Sequence, residues 1–270
     1  MPEHATPEHA KDDATTPILT RAGAVATIRL NRPRHLNRIE PADLVALAAL
    51  LAEVEADAGL RVLILTGTGR AFSAGYHLGD LATRPDAAVT MGGPQLSFED
   101  VATRLENLRV PVICRLNGGV YGGSTDLALA CDFRIGVDSM EMFMPAARLG
   151  IHYYLSGMLR YTSRLGLNNA KRLFLTAEKL QAPELLAIGY LTQMVAAHAL
   201  DAAVAALAER LAAMAPLAVQ GMKRSLNEIA HGVFDAAACA ERARASQQSE
   251  DVQEGLAAFR EKRAPVFQGR

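Results

Sequence analysis

The sequence predicts an α/β fold with a helical C-terminal extension, and three observations carry that prediction. Short apolar runs recur in the first half of the chain, several ending in Gly-rich loops, which marks strands buried on both faces. Amphipathic helical stretches alternate with them, the order of a strand-helix architecture. From Leu200 onward the chain is Ala-rich with helical periodicity almost to its end.

The elements follow in order. Residues 24–30 (AVATIRL) alternate apolar and polar side chains, as a half-buried strand does, and Asn31-Arg32-Pro33 breaks the run. Pro41 opens a helix on which Leu44, Leu47, Leu50, Leu51 and Val54 recur at helical spacing, and Gly59 ends it. Residues 61–66 (RVLILT) make a continuous apolar strand, followed by a Gly-rich loop over 67–75. The unit then repeats: a helix over 98–108, a strand over 111–116 (PVICRL), a second Gly-rich loop over 117–123 and a helix over 124–130. A strand over 133–137, helices over 157–165, 168–176 and 182–188, and a short strand over 191–195 complete the mixed part.

Composition narrows the function classes. The chain has 270 residues, half of them hydrophobic, with 28 Lys and Arg against 29 Asp and Glu. That near-neutral balance lacks the basic surplus of a nucleic-acid binder. No run approaches the roughly 18 uninterrupted apolar residues of a membrane helix. Trp is absent and aromatics are 5%, so Ala, Leu, Val and Ile must build the core. Three widely spaced cysteines, Cys114, Cys131 and Cys239, fit neither a disulfide framework nor a CxxC metal site. Residues 1–16 contain the tetrapeptide PEHA twice, carry no apolar leader core and are expected to be a disordered polar tail. A cytoplasmic protein is the simplest expectation.

Chemistry is expected where buried strands end in Gly-rich loops. Two loops stand out, 71–78 (AFSAGYHL) and 118–127 (GGVYGGSTDL). Glycine permits positive φ and close approach of a ligand to the main chain. The second loop opens a helix, so its first N–H groups lack intrahelical acceptors and suit an anionic oxygen. Neither loop is a P-loop, because no Gly-Lys-Ser/Thr follows. Gly67-Thr68-Gly69 is not completed as GxGxxG, since position 72 is Phe.

Four stretches together resemble the crotonase, or enoyl-CoA hydratase/isomerase, superfamily. They are ATIRLNRP (26–33), RVLILTGTGRAFSAGYHL (61–78), PVICRLNGGVYGGSTDLALACDFRIG (111–136) and SEDVQEGLAAFREKRAPVF (249–267), in the family's order and spacing. The resemblance covers about residues 17–267. It implies a crotonase-like spiral of ββα units over 17–199 and a helical oligomerisation region over 200–270. Homotrimers or dimers of trimers are implied, with an acyl-CoA thioester as substrate and no tightly bound cofactor beyond the coenzyme A it carries. The implied mechanism holds the thioester oxygen between two backbone N–H groups, here those of Tyr76 and Gly123, and stabilises an enolate.

The resemblance also implies two catalytic glutamates, and this chain departs at both. The first falls on Asp126, whose carboxylate is withdrawn by about 1 Å, enough to matter for positioned catalysis. The second falls on Ala146. Asp126 acting alone would suit a double-bond isomerase; it could also only cap or salt-bridge its helix. A replacement acid-base group could come from Gly150-Ile151-His152-Tyr153-Tyr154, where His152 would titrate near neutrality and Tyr153 or Tyr154 would donate a proton or hydrogen bond. A His-assisted hydrolase of a C–C or thioester bond, and a non-catalytic acyl-CoA-binding oligomer, are the alternatives. The related dehalogenases place their nucleophilic carboxylate near Tyr154, so they do not match.

Coenzyme A contacts are implied for Arg34, His35 and Leu36 in the loop after the first strand. Ala74, Tyr76, His77 and Leu78 in the first Gly-rich loop, and Gly123 in the second, are implied to line the thioester. Lys262, on a segment with Phe259, is implied to reach phosphates from a neighbouring subunit. A lysine frequent in the family three residues beyond the first N–H is Gly79 here.

Overall fold

The computed structural model describes residues 16–77, 79 and 96–270. Strands β1 (Ile18–Ala22) and β2 (Val25–Leu30) pair antiparallel through a tight turn at Gly23, φ +57°. β1 has no apolar run to betray it. It is a largely exposed edge strand, held by main-chain bonds to β2. β2 leads into a six-stranded sheet with β3 (Val62–Gly67), β5 (Val112–Leu116), β7 (Phe133–Val137) and β10 (Gln193–Val195), in the order β1-β2-β3-β5-β7-β10. From β2 onward every pairing is parallel. Buried Leu63, Leu65, Val112, Ile113, Leu116 and Ile135 explain why these runs read as continuous apolar segments.

A second sheet has strands of only three residues each: β4 (Ala71–Ser73), β6 (Gly119–Tyr121), β8 (Glu141–Phe143) and β9 (Lys179–Gln181). Three strands of the first sheet are each followed by a short one of the second: β3 by β4, β5 by β6, β7 by β8. Helices complete the repeats, as α1 (Pro41–Ala56), α2 (Phe98–Glu106), α3 (Ser124–Ala130) and α4 (Leu155–Leu165). This is the ββα succession that the sequence led us to expect.

Pro41 at its first turn and a Glu40/Asp43 capping box start α1, which buries Leu44, Leu47, Leu51 and Val54. All seven residues of α3 are buried, Asp126 among them. Helix α4 begins two residues before the position predicted. The Glu99 carboxylate accepts the Ser156 N–H at 3.3 Å and its hydroxyl at 2.7 Å, which satisfies a first-turn donor there. Helices α5 (Leu167–Thr176) and α6 (Ala182–Ala187) follow.

The helical end is not one unit. Helix α7 (Leu200–Ala212) packs on β3, β5 and β7 and buries Leu200, Val204 and Ala208 in the core. Its apolar face thus lies on the sheet, although the helix falls within the 200–270 segment expected to serve oligomerisation. Helices α8 (Pro216–Ala230), α9 (Ala236–Gln247) and α10 (Glu250–Glu261) bury few apolar side chains and leave Met222, Leu226, Ile229 and Phe259 exposed, as is Phe234 between α8 and α9. No single helix among the described residues is long and apolar enough to cross a membrane. Of the tail expected over 1–16, all but Thr16 lies outside the described residues.

Candidate active site

The two Gly-rich loops meet, and a buried serine pair joins them. The Ser73 hydroxyl donates to the Asn37 carbonyl at 2.7 Å and accepts the Gly75 N–H at 3.2 Å. Its proton is thereby committed, so the 2.6 Å contact with Ser124 is a bond donated by the Ser124 hydroxyl at the start of α3. Gly75 has φ +93°, and a Cβ there would lie 2.7 Å from the Tyr121 carbonyl oxygen. Only glycine lets the two backbones approach so closely.

Main-chain bonds set the direction of both candidate donors. Ile39 donates its N–H to the Gly75 carbonyl at 2.9 Å, while Ala74 and His77 donate to Leu36 and Ile39. In a trans peptide the N–H points opposite to the carbonyl. The Tyr76 N–H therefore points away from the 36–39 segment. Likewise the Gly122 carbonyl accepts the Thr125 N–H at 3.0 Å and the Thr125 hydroxyl at 2.6 Å, which turns the Gly123 N–H the other way.

Both loops border one cavity of about 350 Å³. Ala74, Gly75 and Tyr76 line one part, Tyr121, Gly122 and Gly123 another, and Phe98 of α2 a third. The segment from Phe143 to Tyr154 closes the rest with Met144, Pro145, Ala146, Leu149, Ile151, His152 and Tyr153. Ala146, where the resemblance places the second glutamate, therefore lies in the wall.

Asp126 does not. It is 0% exposed and stands behind Tyr154. Its Oδ1 accepts Arg160 Nε at 2.9 Å, and its Oδ2 accepts Arg160 Nη2 at 2.7 Å and the Tyr154 hydroxyl at 2.6 Å. Arg160 donates on to Glu106 at 3.0 Å, and Glu106 also meets Arg164 and His231. Burial works against the Arg160 charge, but Asp126 and Glu106 outweigh it and hold the guanidinium firmly protonated. The expectation that Asp126 faces the acyl group as a base is not met. Of the readings open for it, the salt bridge is the one its geometry fits.

The tyrosines beside it are donors. Tyr153 donates to the Tyr154 oxygen at 3.0 Å, and the two rings stack at 4.2 Å. Burial first, and the neighbouring Asp126 carboxylate, push the Tyr154 phenol well up. Burial and the Tyr154 and Asp126 charges do the same for Tyr153. Tyr154 thus turns its proton to Asp126 and Tyr153 turns its proton to Tyr154. His152 is different. Its Nδ1 lies 2.8 Å from the Tyr153 carbonyl oxygen, which can only accept. Nδ1 therefore carries the proton, and Nε2 of the neutral ring keeps a lone pair.

The structure brings together Ala74, Tyr76, Gly123, His152 and Tyr154 at the cavity. Arg34 and His35 are exposed on a short 3-10 turn, next to Leu36, whose carbonyl bonds to Ala74. His77 is half-buried, with Nδ1 3.4 Å from Glu40, and does not line the cavity. Leu78 lies outside the described residues. Phe259, 84% exposed, and Lys262, at the end of α10, are not part of this cavity within one chain. Sequence reasoning missed Arg160, Glu106, Ser73 and Phe98. The one available signal was Arg160 and Arg164 four residues apart, which places two cations on one face of α4.

Loops, cavity and ββα succession can now be set beside known proteins. The model of the enoyl-CoA hydratase/isomerase family matches residues 20–270. The chain belongs to the enoyl-CoA hydratase/isomerase family. This family member is 31% identical over 251 residues to the short-chain-enoyl-CoA hydratase of Clostridium acetobutylicum, covering 91% of this chain and 95% of that protein. It is 34% identical over 261 residues to the carnitinyl-CoA dehydratase of Salmonella typhi, covering 93% and 98%. The solved enoyl-CoA hydratase of Bacillus anthracis superposes with a TM-score of 0.81 at 30% identity, over 94% of this chain and 100% of that one.

Proposed function

We propose that the chain binds an acyl-CoA thioester with its acyl group in the 350 Å³ cavity and its thioester oxygen between the N–H groups of Tyr76 and Gly123. One observation carries the reading: two peptides on different loops, each fixed by its own carbonyl bond, border the same apolar cavity. The charge built up there is an enolate, and one such donor is worth roughly 2.7–4 kcal/mol of barrier in other enzymes. The relatives named above, and a 2,3-dehydroadipyl-CoA hydratase of Escherichia coli at 30% identity, all act on CoA thioesters by name.

Hydration then needs a group that takes a proton from water as its oxygen bonds to the β-carbon and delivers that proton to the α-carbon, and double-bond isomerisation needs one that moves a proton between the α- and γ-carbons. Among the described cavity-lining side chains, His152 Nε2 is the basic lone pair. It takes the proton from water or from carbon and returns it, while Tyr154 and Asp126 bound the site rather than feed it. Arg34, His35 and Leu36 flank the CoA chain. Phe259 and Lys262 serve the site of a second copy in a homotrimer or dimer of trimers.

Crotonyl-CoA mixed with the protein, with loss of the conjugated enoyl absorbance followed, tests the reading. His152→Ala should lower the rate by about 10²–10⁴, and His77→Ala should change it far less. Equal small effects would remove His152 from the chemistry. A second reading, acyl-CoA binding without turnover, is favoured by the closed Asp126 ion pair and by Ala146. Micromolar binding with no turnover of any enoyl-CoA would select it.

A further inference from the structure

Six rings, those of Tyr76, Phe98, Tyr121, Phe143, Tyr153 and Tyr154, stand around the cavity. The whole chain has only eight phenylalanines, six tyrosines and no tryptophan. The rings come from five places in the fold, so no single element accounts for their meeting. Tyr76 and Phe98 meet edge to face with centroids 6.0 Å apart, and Tyr153 and Tyr154 are stacked. Among the described residues no Asp, Glu, Lys or Arg lines the cavity. Both positions expected to carry glutamate withhold charge from it. Asp126 is closed in its ion pair, and Ala146, 7% exposed, presents a methyl group.

We infer that the acyl group taken here is uncharged and flat, an aryl-substituted chain of the 3-arylpropenoyl kind, and that Ala146 sets this specificity. The inference rests on the proposed reading of the cavity as the acyl site. A glutamate at position 146 would fill part of the wall and bring a carboxylate against the ring. The alanine leaves that room apolar. An acyl chain ending in a carboxylate would be desolvated with no Lys or Arg among the described lining residues to pair it. A quaternary ammonium could find ring faces, but Arg148, which does not line the cavity, already takes one face of Phe143, 5.2 Å from its centroid. A neutral ring meets neither obstacle, and it gains aromatic pairing worth about two- to ten-fold in affinity per pair beyond the area it buries.

Saturated acyl-CoAs test this by binding alone, independent of turnover. Isothermal titration calorimetry on the full chain would compare 3-phenylpropanoyl-CoA, butanoyl-CoA, adipoyl-CoA and 4-(trimethylammonio)butanoyl-CoA, with free CoA as the baseline. The phenyl compound should bind at least about ten-fold tighter than the butanoyl one, and both charged compounds more weakly than butanoyl. Ala146→Gln should remove most of the phenyl preference, and Ala146→Glu should in addition weaken adipoyl-CoA. Equal binding of phenylpropanoyl- and butanoyl-CoA, or tighter binding of either charged compound, overturns the inference. If no acyl-CoA binds more tightly than free CoA, the acyl-site reading itself falls. The wild-type series decides the matter even if the Ala146 variants do not fold.

Discussion

Arg160→Met removes the cation that holds Asp126 while keeping a side chain of similar reach. Arg160 is fully buried, makes two bonds to Asp126, one to Glu106 and one to Ser156. Without it, Asp126 keeps only the Tyr154 hydroxyl, and Glu106 keeps Arg164 and His231. Removing one partner of a buried pair costs about 3–5 kcal/mol, because the other charge stays behind. In a domain of this size 1 kcal/mol moves Tm by about 2–4 °C, so the variant should melt roughly 6–20 °C lower. Asp126→Asn supplies the control, since it still accepts from Tyr154 but carries no charge. The double variant should be less destabilised than the two singles summed, by as much as about 3 kcal/mol. Urea unfolding followed by circular dichroism, at one protein concentration and without ligand, measures all four corners. A single Arg160→Met within about 1 kcal/mol of wild type, or strict additivity in the cycle, would refute the claim that this pair is a closed unit.

Two further outcomes follow from the same geometry. Gly75→Ala puts a Cβ 2.7 Å from the Tyr121 carbonyl oxygen at φ +93°; the loops must part, and kcat/KM for any accepted enoyl-CoA should fall about 10²-fold, while unchanged kinetics would separate Gly75 from the donor geometry. The phenols of Tyr153 and Tyr154 are pushed up in the folded chain by burial and by Asp126, against about 10 when unfolded. Their stabilisation is therefore present below pH about 10 and lost as pH rises through the folded values. The urea midpoint should drop above pH about 10, Tyr154→Phe should make that drop shallower, and an identical slope in the variant would contradict the assignment.

Legibility in the sequence followed how each element is held. β3 and β5 are apolar runs buried on both faces and could be read directly. α3 and β7 fall at the predicted residues, 124–130 and 133–137. The second sheet was hidden for a physical reason: three-residue strands carry no period, and only pairing with β6 makes a strand of residues 71–73. Residues 119–121 read as loop because Gly118 and Gly119 dominate them. Helix α7 looked like its C-terminal neighbours in composition, yet its apolar face lies on the sheet. At the site, glycines marked both loops. They could not mark Arg160, which is 34 residues from Asp126 and has no periodic relation to it.

The two positions at which the resemblance implies glutamates, 126 and 146, both bear on the cavity wall. The carboxylate at position 126 does not line the cavity, and the hydroxyl of Tyr154, which does, already occupies its Oδ2 at 2.6 Å. Arg160 balances that carboxylate from the other side, so the charge is spent before it meets a ligand. Were a glutamate kept at 146, it would stand in a largely apolar wall with no Lys or Arg among the described lining residues, a costly arrangement. Losing it keeps the wall apolar, and in the proposed reading an apolar wall strengthens the two backbone N–H groups by excluding water from the thioester oxygen. In the proposed reading, proton transfer then falls to a residue at the cavity whose basic atom is not engaged by the wall. His152, exposed at its ring and tied by Nδ1 to the main chain, meets that condition, whereas Tyr153 and Tyr154 direct their protons inward.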